Sequence, residues 1–254
     1  MKQYLSPHKF PPGIREFAVS IWTEGECKPG SITPDLLAPC GAPELIFVQQ
    51  GTYKKRRLAF GYASFKFDCS FIAGIQDQVI MSQKQNGVQS IGVRFDPMAF
   101  YLLFGKTGVA MANNHLSLTD FNNKDLLQLD HTIKDANTTA GFIQALEDYF
   151  SNAVPAKYPS KNWKTTANCL SQLQASNGSL DLDDLARAHH LEIETLEKYF
   201  QKYLGLSTKT MATILKTASA YLENQDDSSH NKSIPTLNLG DLYGNIQMNH
   251  LNKK

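Results

Sequence analysis

The sequence is poor in cysteine, has no long apolar run and carries almost no net charge. Its 254 residues contain four scattered cysteines, with no close pair of the kind that seeds a zinc site. Its most apolar short run, residues 100–104, is far below the ~18 residues that a membrane span needs. The formal net charge of +1 excludes a whole-molecule field that attracts nucleic acid or membrane, so such a partner would have to bind a local patch.

The motifs of common catalytic and metal sites are missing as well. There is no Gly-x-Ser-x-Gly elbow of a serine hydrolase. Residues 105–107 resemble the end of a phosphate-binding loop, but Phe100 stands where that loop needs its first glycine. Up to Pro97 the only histidine is His8, which excludes closely spaced histidine ligands on a strand. We therefore expect no enzyme, no metal and no cofactor, and the absence of an apolar leader favours a cytoplasmic protein.

The first part of the chain, to about residue 105, has the pattern of short β-strands. Phe65 and Phe67 alternate with polar residues, and so do Ile91, Val93 and Phe95, as expected for strands with two different faces. Glycine and proline recur at intervals of roughly ten residues, which is typical of a barrel or sandwich. The sequence predicts a β-rich domain that would occupy residues 1–153 together with the helices at its end.

Helical patterns follow from about residue 116. Leu126, Leu129 and Ile133 share one face of a predicted helix, and Phe142 and Leu146 share one face of the next. Residues 154–161 contain two prolines and no periodicity, and are the best candidate for a linker. The predicted fold class is therefore α+β, with an N-terminal β-barrel domain and an all-α C-terminal domain at 162–254.

The C-terminal pattern predicts a short helix, a tight turn and a second helix. Asp181 is a suitable N-cap for the first helix. Leu196 and Phe200 form the apolar stripe of the second, and Gly205 supplies its stop. Ser207 can cap the helix that follows. This layout is that of a helix-turn-helix, in which the second helix enters the major groove of DNA.

On these residues the C-terminal part resembles the AraC family of transcription regulators. The matching positions of the first unit are Leu185, Ala186, Leu196, Lys198, Phe200 and the 205–207 turn, with Lys216 and Ala220 on the connecting helix. Leu239, Gly240, Gly244 and Leu251 resemble a second unit, which reaches Lys254 partway through its recognition helix, so we expect this unit to be truncated. The resemblance implies DNA contacts at Thr195, Lys198, Lys202, Gln247, Asn249, His250 and Lys253.

The charges of this region leave an alternative open. Glu192, Glu194 and Glu197 lie on the first recognition helix, where carboxylates oppose binding to phosphates. From residue 160 onward, ten Lys/Arg are balanced by ten Asp/Glu, which is unusual for a DNA-binding domain. The alternative is a ligand-binding or protein-interaction module whose helix-turn-helix no longer contacts DNA.

The N-terminal half resembles an uncharacterised sensor domain found ahead of AraC-type modules. The resemblance rests on segments 37–47, 71–76 and 91–97 in that order, and implies a cupin-like barrel with helices that form a homodimer. Arg94, with Phe47 and Phe95, is our candidate ligand site, because a guanidinium facing the barrel interior would bind an anionic effector. The alternative is a surface Arg94 paired with Asp96.

We expect residues 54–57 to form an exposed hairpin tip, or less plausibly a basic DNA-contacting arm.

The leading interpretation is therefore a dimeric transcription regulator that binds double-stranded DNA and responds to an unknown small-molecule effector.

Overall fold

The computed structural model describes residues 2–5, 10, 12–15, 17–25, 34–57, 64–136, 138–153 and 159–226. Within them the protein combines antiparallel sheet with helix, which confirms the expected mixture. The strands are β1 (Lys2–Tyr4), β2 (Ala18–Glu24), β3 (Asp35–Leu37), β4 (Glu44–Arg57), β5 (Ser64–Phe67), β6 (Phe71–Ala73), β7 (Ile80–Phe95) and β8 (His115–Ser117). The helices are α1 (Pro12–Arg15), α2 (Pro97–Phe104), α3 (Gly108–Met111), α4 (Leu118–Phe121), α5 (Lys124–Asp135), α6 (Thr139–Asn152), α7 (Lys161–Ala175), α8 (Leu182–Ala188), α9 (Ile193–Leu204) and α10 (Thr208–Asp226).

The sheet is built around its two long strands, β4 with 14 residues and β7 with 16. Its order is β1-β2-β7-β4-β6-β8, with β3 added to β7 and β5 added to β4. Both long strands are irregular at the same place: the register shifts on either side of Gln50, opposite Asn86 and Gly87, which have positive φ. Gly51 has φ +87°, and a β-carbon there would come within 2.7 Å of Val88. Such bulges bend a sheet, so the half of β4 after Gln50 turns over the half before it.

The two faces of the bent sheet have separate cores. Leu45 and Phe47 of β4 pack with β7 and with helices α2, α5 and α6, on what we call the helix-covered face. Ile46 and Val48 point the other way, into what we call the inner face. Tyr53, from the far half of β4, reaches across this inner face, with its ring 5.7 Å from that of Phe71 on β6. The inner face is therefore concave and enclosed.

Helices α5 and α6 form where the apolar spacing predicts them. Asn123 and Thr138 cap their first turns through side-chain oxygens, at 3.0 Å from Leu126 N and 3.1 Å from Gly141 N. Leu126, Leu129 and Ile133 of α5 are buried against the sheet, as are Phe142 and Leu146 of α6.

Helices α7 to α10 form a second apolar core, which also includes residues of the N-terminal half. Ile75, Met98 and Leu102 belong to it. The Trp163 indole of α7 donates to the Met98 carbonyl of α2 at 3.2 Å, and the Tyr101 and Tyr203 rings meet edge to face at 4.9 Å. Helix α9 thus packs on α2 and α3 through one face, and its opposite face is left to solvent.

Candidate nucleic-acid interface and ligand site

The first candidate site is the α8–α9 helix pair. Asp181 caps α8, with its carboxylate 2.9 Å from Asp184 N, and Gly205 ends α9 with φ +74°. The chain reverses between the two helices at His190, which has φ 55°. His190 is exposed, and His189 is half-buried with its ring 3.1 Å from the Gln172 amide nitrogen, so neither histidine enters the apolar core.

One stripe of α9 is exposed and polar. It contains Glu194, Lys198, Gln201 and Lys202, which lie on the side opposite the buried Leu196 and Phe200. Thr195 is half-buried at the margin of this stripe. The structure thus brings Thr195, Lys198 and Lys202 together on one surface. The Lys202 ammonium also lies 5.1 Å from the ring centroid of Tyr203.

The three glutamates of α9 do not share one surface of the helix. The Glu197 carboxylate accepts from the Thr208 backbone N–H at 2.9 Å, so it satisfies an N-terminal donor of α10 and points away from Lys198. Glu192 is the N-cap residue of α9 and Glu194 lies in its first turn; both are exposed and suit the positive end of the helix dipole. The negative charge on this surface is therefore confined to one end of α9.

The positions of the second unit lie outside the described residues. These are Gln247, Asn249, His250 and Lys253.

The second candidate site is the inner face of the sheet, where one row of residues crosses five strands. Ser20 pairs with Arg94, Arg94 with Glu44, Glu44 with Ala73 and Ala73 with His115. Directly paired residues point to the same side of a sheet, so this row is polar at both ends and ionic in the middle.

Arg94 lies on the inner face but its charge is already matched. Its Nη2 and Nε donate to Glu44 Oε1 at 2.7 and 3.1 Å, and the Trp22 indole donates to the same oxygen at 3.2 Å. The alternative of a surface pair with Asp96 is wrong. Asp96 instead caps α2, accepting from Met98 N and Ala99 N at 2.8 Å each. Burial raises the pKa of Asp96 to about 6, against the opposing effect of these two hydrogen bonds.

Phe47 and Phe95 are fully buried in the helix-covered core, on the side of the sheet away from Arg94. The structure therefore does not bring the three candidate ligand residues together. The reason is the period-two alternation of β4 and β7, which sends neighbours on a strand to opposite faces.

A further ionic network crosses the inner face at Glu24. Its carboxylate accepts from Lys84 at 2.5 Å and from the Tyr53 hydroxyl at 2.9 Å, and Tyr53 lies 2.6 Å from Ser90 Oγ. Lys84 also pairs with Asp35 at 2.5 Å. Burial, followed by the charge of Glu24, raises the pKa of Tyr53 well above its usual range. The inner face is thus far more polar than an ordinary hydrophobic core.

Lys55 and Arg57 of β4 belong to this face and were missed as ligand candidates. Residues 54–57 are not a hairpin tip: they continue strand β4 and pair with β5 and β7. Alternation leaves Lys54 and Arg56 exposed, whereas Lys55 is only 3% exposed, with its ammonium 4.9 Å from the Phe71 ring centroid. His115 was missed too, because its strand has three residues and no readable alternation.

Among the described residues, no group of three His, Cys, Asp or Glu side chains could hold a metal ion. In the same part of the chain no helix is both long and apolar enough to cross a membrane.

Residues 8–117 match the family model DUF6597, a domain of unknown function. No curated protein matches the sequence.

The similar solved structures include ToxT from Vibrio cholerae, at 10% identity over 83% of this chain and 85% of that chain, with a TM-score of 0.44. Unsaturated fatty acid bound wild-type ToxT from Vibrio cholerae strain SCE256 is 9% identical over 83% and 81%, also with a TM-score of 0.44. The AraC-like transcriptional activator CuxR is 11% identical over 80% and 74%, with a TM-score of 0.27.

Proposed function

We propose that this protein is a DNA-binding transcription regulator whose sheet domain binds a small-molecule effector. In this proposal residues 1–153 are the sensor and dimerisation domain, 154–161 the linker and 162–254 an AraC-like helix-turn-helix domain. The sensor is a cupin-like barrel, and the protein acts in the cytoplasm as a homodimer.

The observation that carries the proposal is the exposed stripe of α9. Lys198 and Lys202 are exposed on the side of the helix that does not pack on α2 and α3, with Thr195 beside them. A helix that follows a short helix and a tight turn, and keeps its outer face polar, has the shape of a recognition helix. In this role the two lysines contact phosphates and Thr195 contacts a base edge.

The position of Glu197 supports the same conclusion. Its carboxylate is held at the start of α10, so it does not repel phosphates in front of Lys198. The one acidic residue of the stripe, Glu194, lies in the first turn of α9, about one helical turn from Lys198.

A second candidate is a binding module whose helix-turn-helix does not contact DNA. It is favoured by the exposed charges of the α8–α9 pair, where acidic residues outnumber basic ones. The acidic residues are Asp181, Asp183, Asp184, Glu192 and Glu194, and the basic ones are Arg187, Lys198 and Lys202.

Fluorescence anisotropy with a labelled mixed-sequence DNA duplex separates the two candidates. We expect the full chain to bind at about 50 mM salt and to lose affinity as salt rises. The double variant Lys198→Ala/Lys202→Ala should bind more weakly, whereas the control Lys124→Ala/Lys164→Ala, which removes two exposed lysines elsewhere, should bind like wild type. No binding at low salt, or equal losses in both variants, would favour the second candidate.

A further inference from the structure

The exposed stripe of α9 contains one acidic residue that the proposed phosphate contacts do not use. This residue is Glu194, in the first turn of the helix. A carboxylate repels phosphates, so on a DNA-binding surface it weakens the binding of every sequence to which it makes no contact of its own. If α9 binds DNA, the Glu194 carboxylate therefore needs a group on the DNA that donates a hydrogen bond to it.

The other two glutamates of this segment do not belong to the stripe. The Glu197 carboxylate accepts from the Thr208 backbone N–H at 2.9 Å. Glu192 is the N-cap residue and lies two positions before Glu194, on the other side of the helix axis. Among the described residues Glu194 makes no hydrogen bond or ion pair, not even with Lys198 one turn further on. Its carboxylate is therefore available to an external donor.

The geometry of α9 places Glu194 at the N-terminal end of the exposed stripe. Successive residues of an α-helix are about 100° apart around the axis, so Glu194, Lys198 and Gln201 lie within about 60° of one another. The buried Leu196 and Phe200 lie on the other side of the helix. A recognition helix contacts base edges mainly with its N-terminal residues. In the proposed DNA complex, Glu194 therefore reaches the bases and Lys198 reaches the phosphates.

The hydrogen-bonding groups of the major groove determine which base suits a carboxylate. An ionised carboxylate only accepts hydrogen bonds. Guanine presents two acceptors in this groove, and thymine presents an acceptor and a methyl group, so neither can donate. Adenine presents an amino donor beside the N7 acceptor, whereas cytosine presents the N4 amino donor without an acceptor. Cytosine is therefore the base that matches Glu194 best.

We propose that Glu194 is a specificity-determining residue, whose carboxylate accepts a hydrogen bond from the N4 amino group of one cytosine in the major groove. The inference rests on the proposed function, because it requires α9 to lie in that groove. It deepens that function by naming a base that the DNA site contains. The same carboxylate opposes guanine and thymine at that position, so it gives specificity while it lowers the affinity for mixed-sequence DNA.

Selection of duplexes from a randomised DNA library by the full chain tests the proposal. We expect wild type to enrich a site in which one position is always cytosine. Glu194→Gln should change the preference at that position to adenine, because a glutamine amide can accept from N6 and donate to N7. The matched control is Glu192→Gln, which removes the same charge on the other side of the helix and should leave the enriched site unchanged.

Fluorescence anisotropy at one salt concentration measures the size of the effect. The probes are the enriched duplex and three copies in which each other base replaces the selected cytosine, with its complement. We expect wild type to bind the cytosine duplex about tenfold more tightly than the copies, as expected for one correct base contact. Glu194→Ala should bind all four duplexes with similar affinity, because it has no group that reaches the base.

The possible outcomes separate this inference from the function on which it rests. DNA retained by wild type without enrichment of a cytosine, or an enriched base that Glu194→Gln leaves unchanged, would overturn the inference alone. Equal changes in Glu192→Gln and Glu194→Gln would also overturn it, because the effect would then follow from net charge and not from position. No retained DNA at low salt would contradict the proposed function itself, and the cytosine contact with it.

Discussion

Gly108 at the start of α3 and Gly205 at the end of α9 meet backbone to backbone. A β-carbon on Gly108 would overlap Leu204 and the Gly205 nitrogen, and one on Gly205 would overlap the Gly108 carbonyl. This contact joins the N-terminal half directly to the helix that we propose to contact DNA.

Gly108→Ala should therefore push α3 and α9 apart. We expect a loss of about 1–3 kcal/mol in the free energy of unfolding, because the overlapping atoms are backbone and cannot rotate away. Urea denaturation measures the change. Gly25→Ala is the control, since a β-carbon there meets nothing within 4 Å, and equal losses in the two variants would contradict the contact.

Removing the Glu197 carboxylate and removing the Glu194 carboxylate should affect stability and DNA affinity differently. Glu197→Ala deletes the acceptor of Thr208 N and should lower the free energy of unfolding by about 0.5–2 kcal/mol, as loss of a cap does. Glu194→Ala removes an exposed carboxylate of the α9 stripe and should leave stability nearly unchanged while DNA affinity rises. Thermal unfolding and DNA anisotropy measure the two effects. A fall in DNA affinity for Glu194→Ala would contradict the prediction that Glu194 repels DNA phosphates at the α9 stripe.

Much of this region could be predicted from the sequence, because its signals are local. Asp181, Gly205 and Ser207 each act within one turn of the helix that they start or end, and the apolar stripe of α9 has clear helical spacing. The hydrogen bond from the Thr208 backbone N–H to the Glu197 carboxylate could not be predicted, because it forms only when α10 packs against α9.

The inner face of the sheet was harder to predict, because its contacts join residues that are far apart in the sequence. Alternation in β4 and β7 correctly predicts two faces, but it does not say which partner Arg94 finds across the sheet. Glu44, 50 positions earlier, becomes that partner only through the register of β4 against β7. Lys55 seemed to belong to an exposed basic run, and its burial follows from the bend in β4.

The Arg94–Glu44 pair should be strongly coupled. Arg94→Met leaves the Glu44 carboxylate without its main cation in a largely buried site, for which we expect a loss of about 3–5 kcal/mol. Adding Glu44→Gln should cost much less than the sum of the two single changes. A double-mutant cycle by urea denaturation measures this coupling, with the exposed Lys66→Met as the control for charge loss. Additive changes would show that the pair is not a unit.

Asp96 should make stability depend on pH. Because its pKa in the folded protein is raised above the usual 3.8 to about 6, its stabilising contribution is complete at low pH and is lost as pH rises through about 6. Asp96→Asn keeps a good N-cap without a charge, so it should be more stable than wild type at neutral pH, and this advantage should shrink below about pH 4.

Unfolding free energies measured across this pH range test the Asp96 prediction. The control is Asp183→Asn, which changes an exposed carboxylate. An advantage of Asp96→Asn that stays the same at every pH would show that Asp96 does not titrate as described.

The salt dependence of DNA binding tests the account most directly. We predict that the full chain binds duplex DNA with an affinity that falls linearly in log–log form with salt, and that Lys198→Ala reduces the slope by about one. The same slope in wild type and Lys198→Ala, with Lys124→Ala as the reference, would show that α9 does not contact phosphates and would contradict the proposed function.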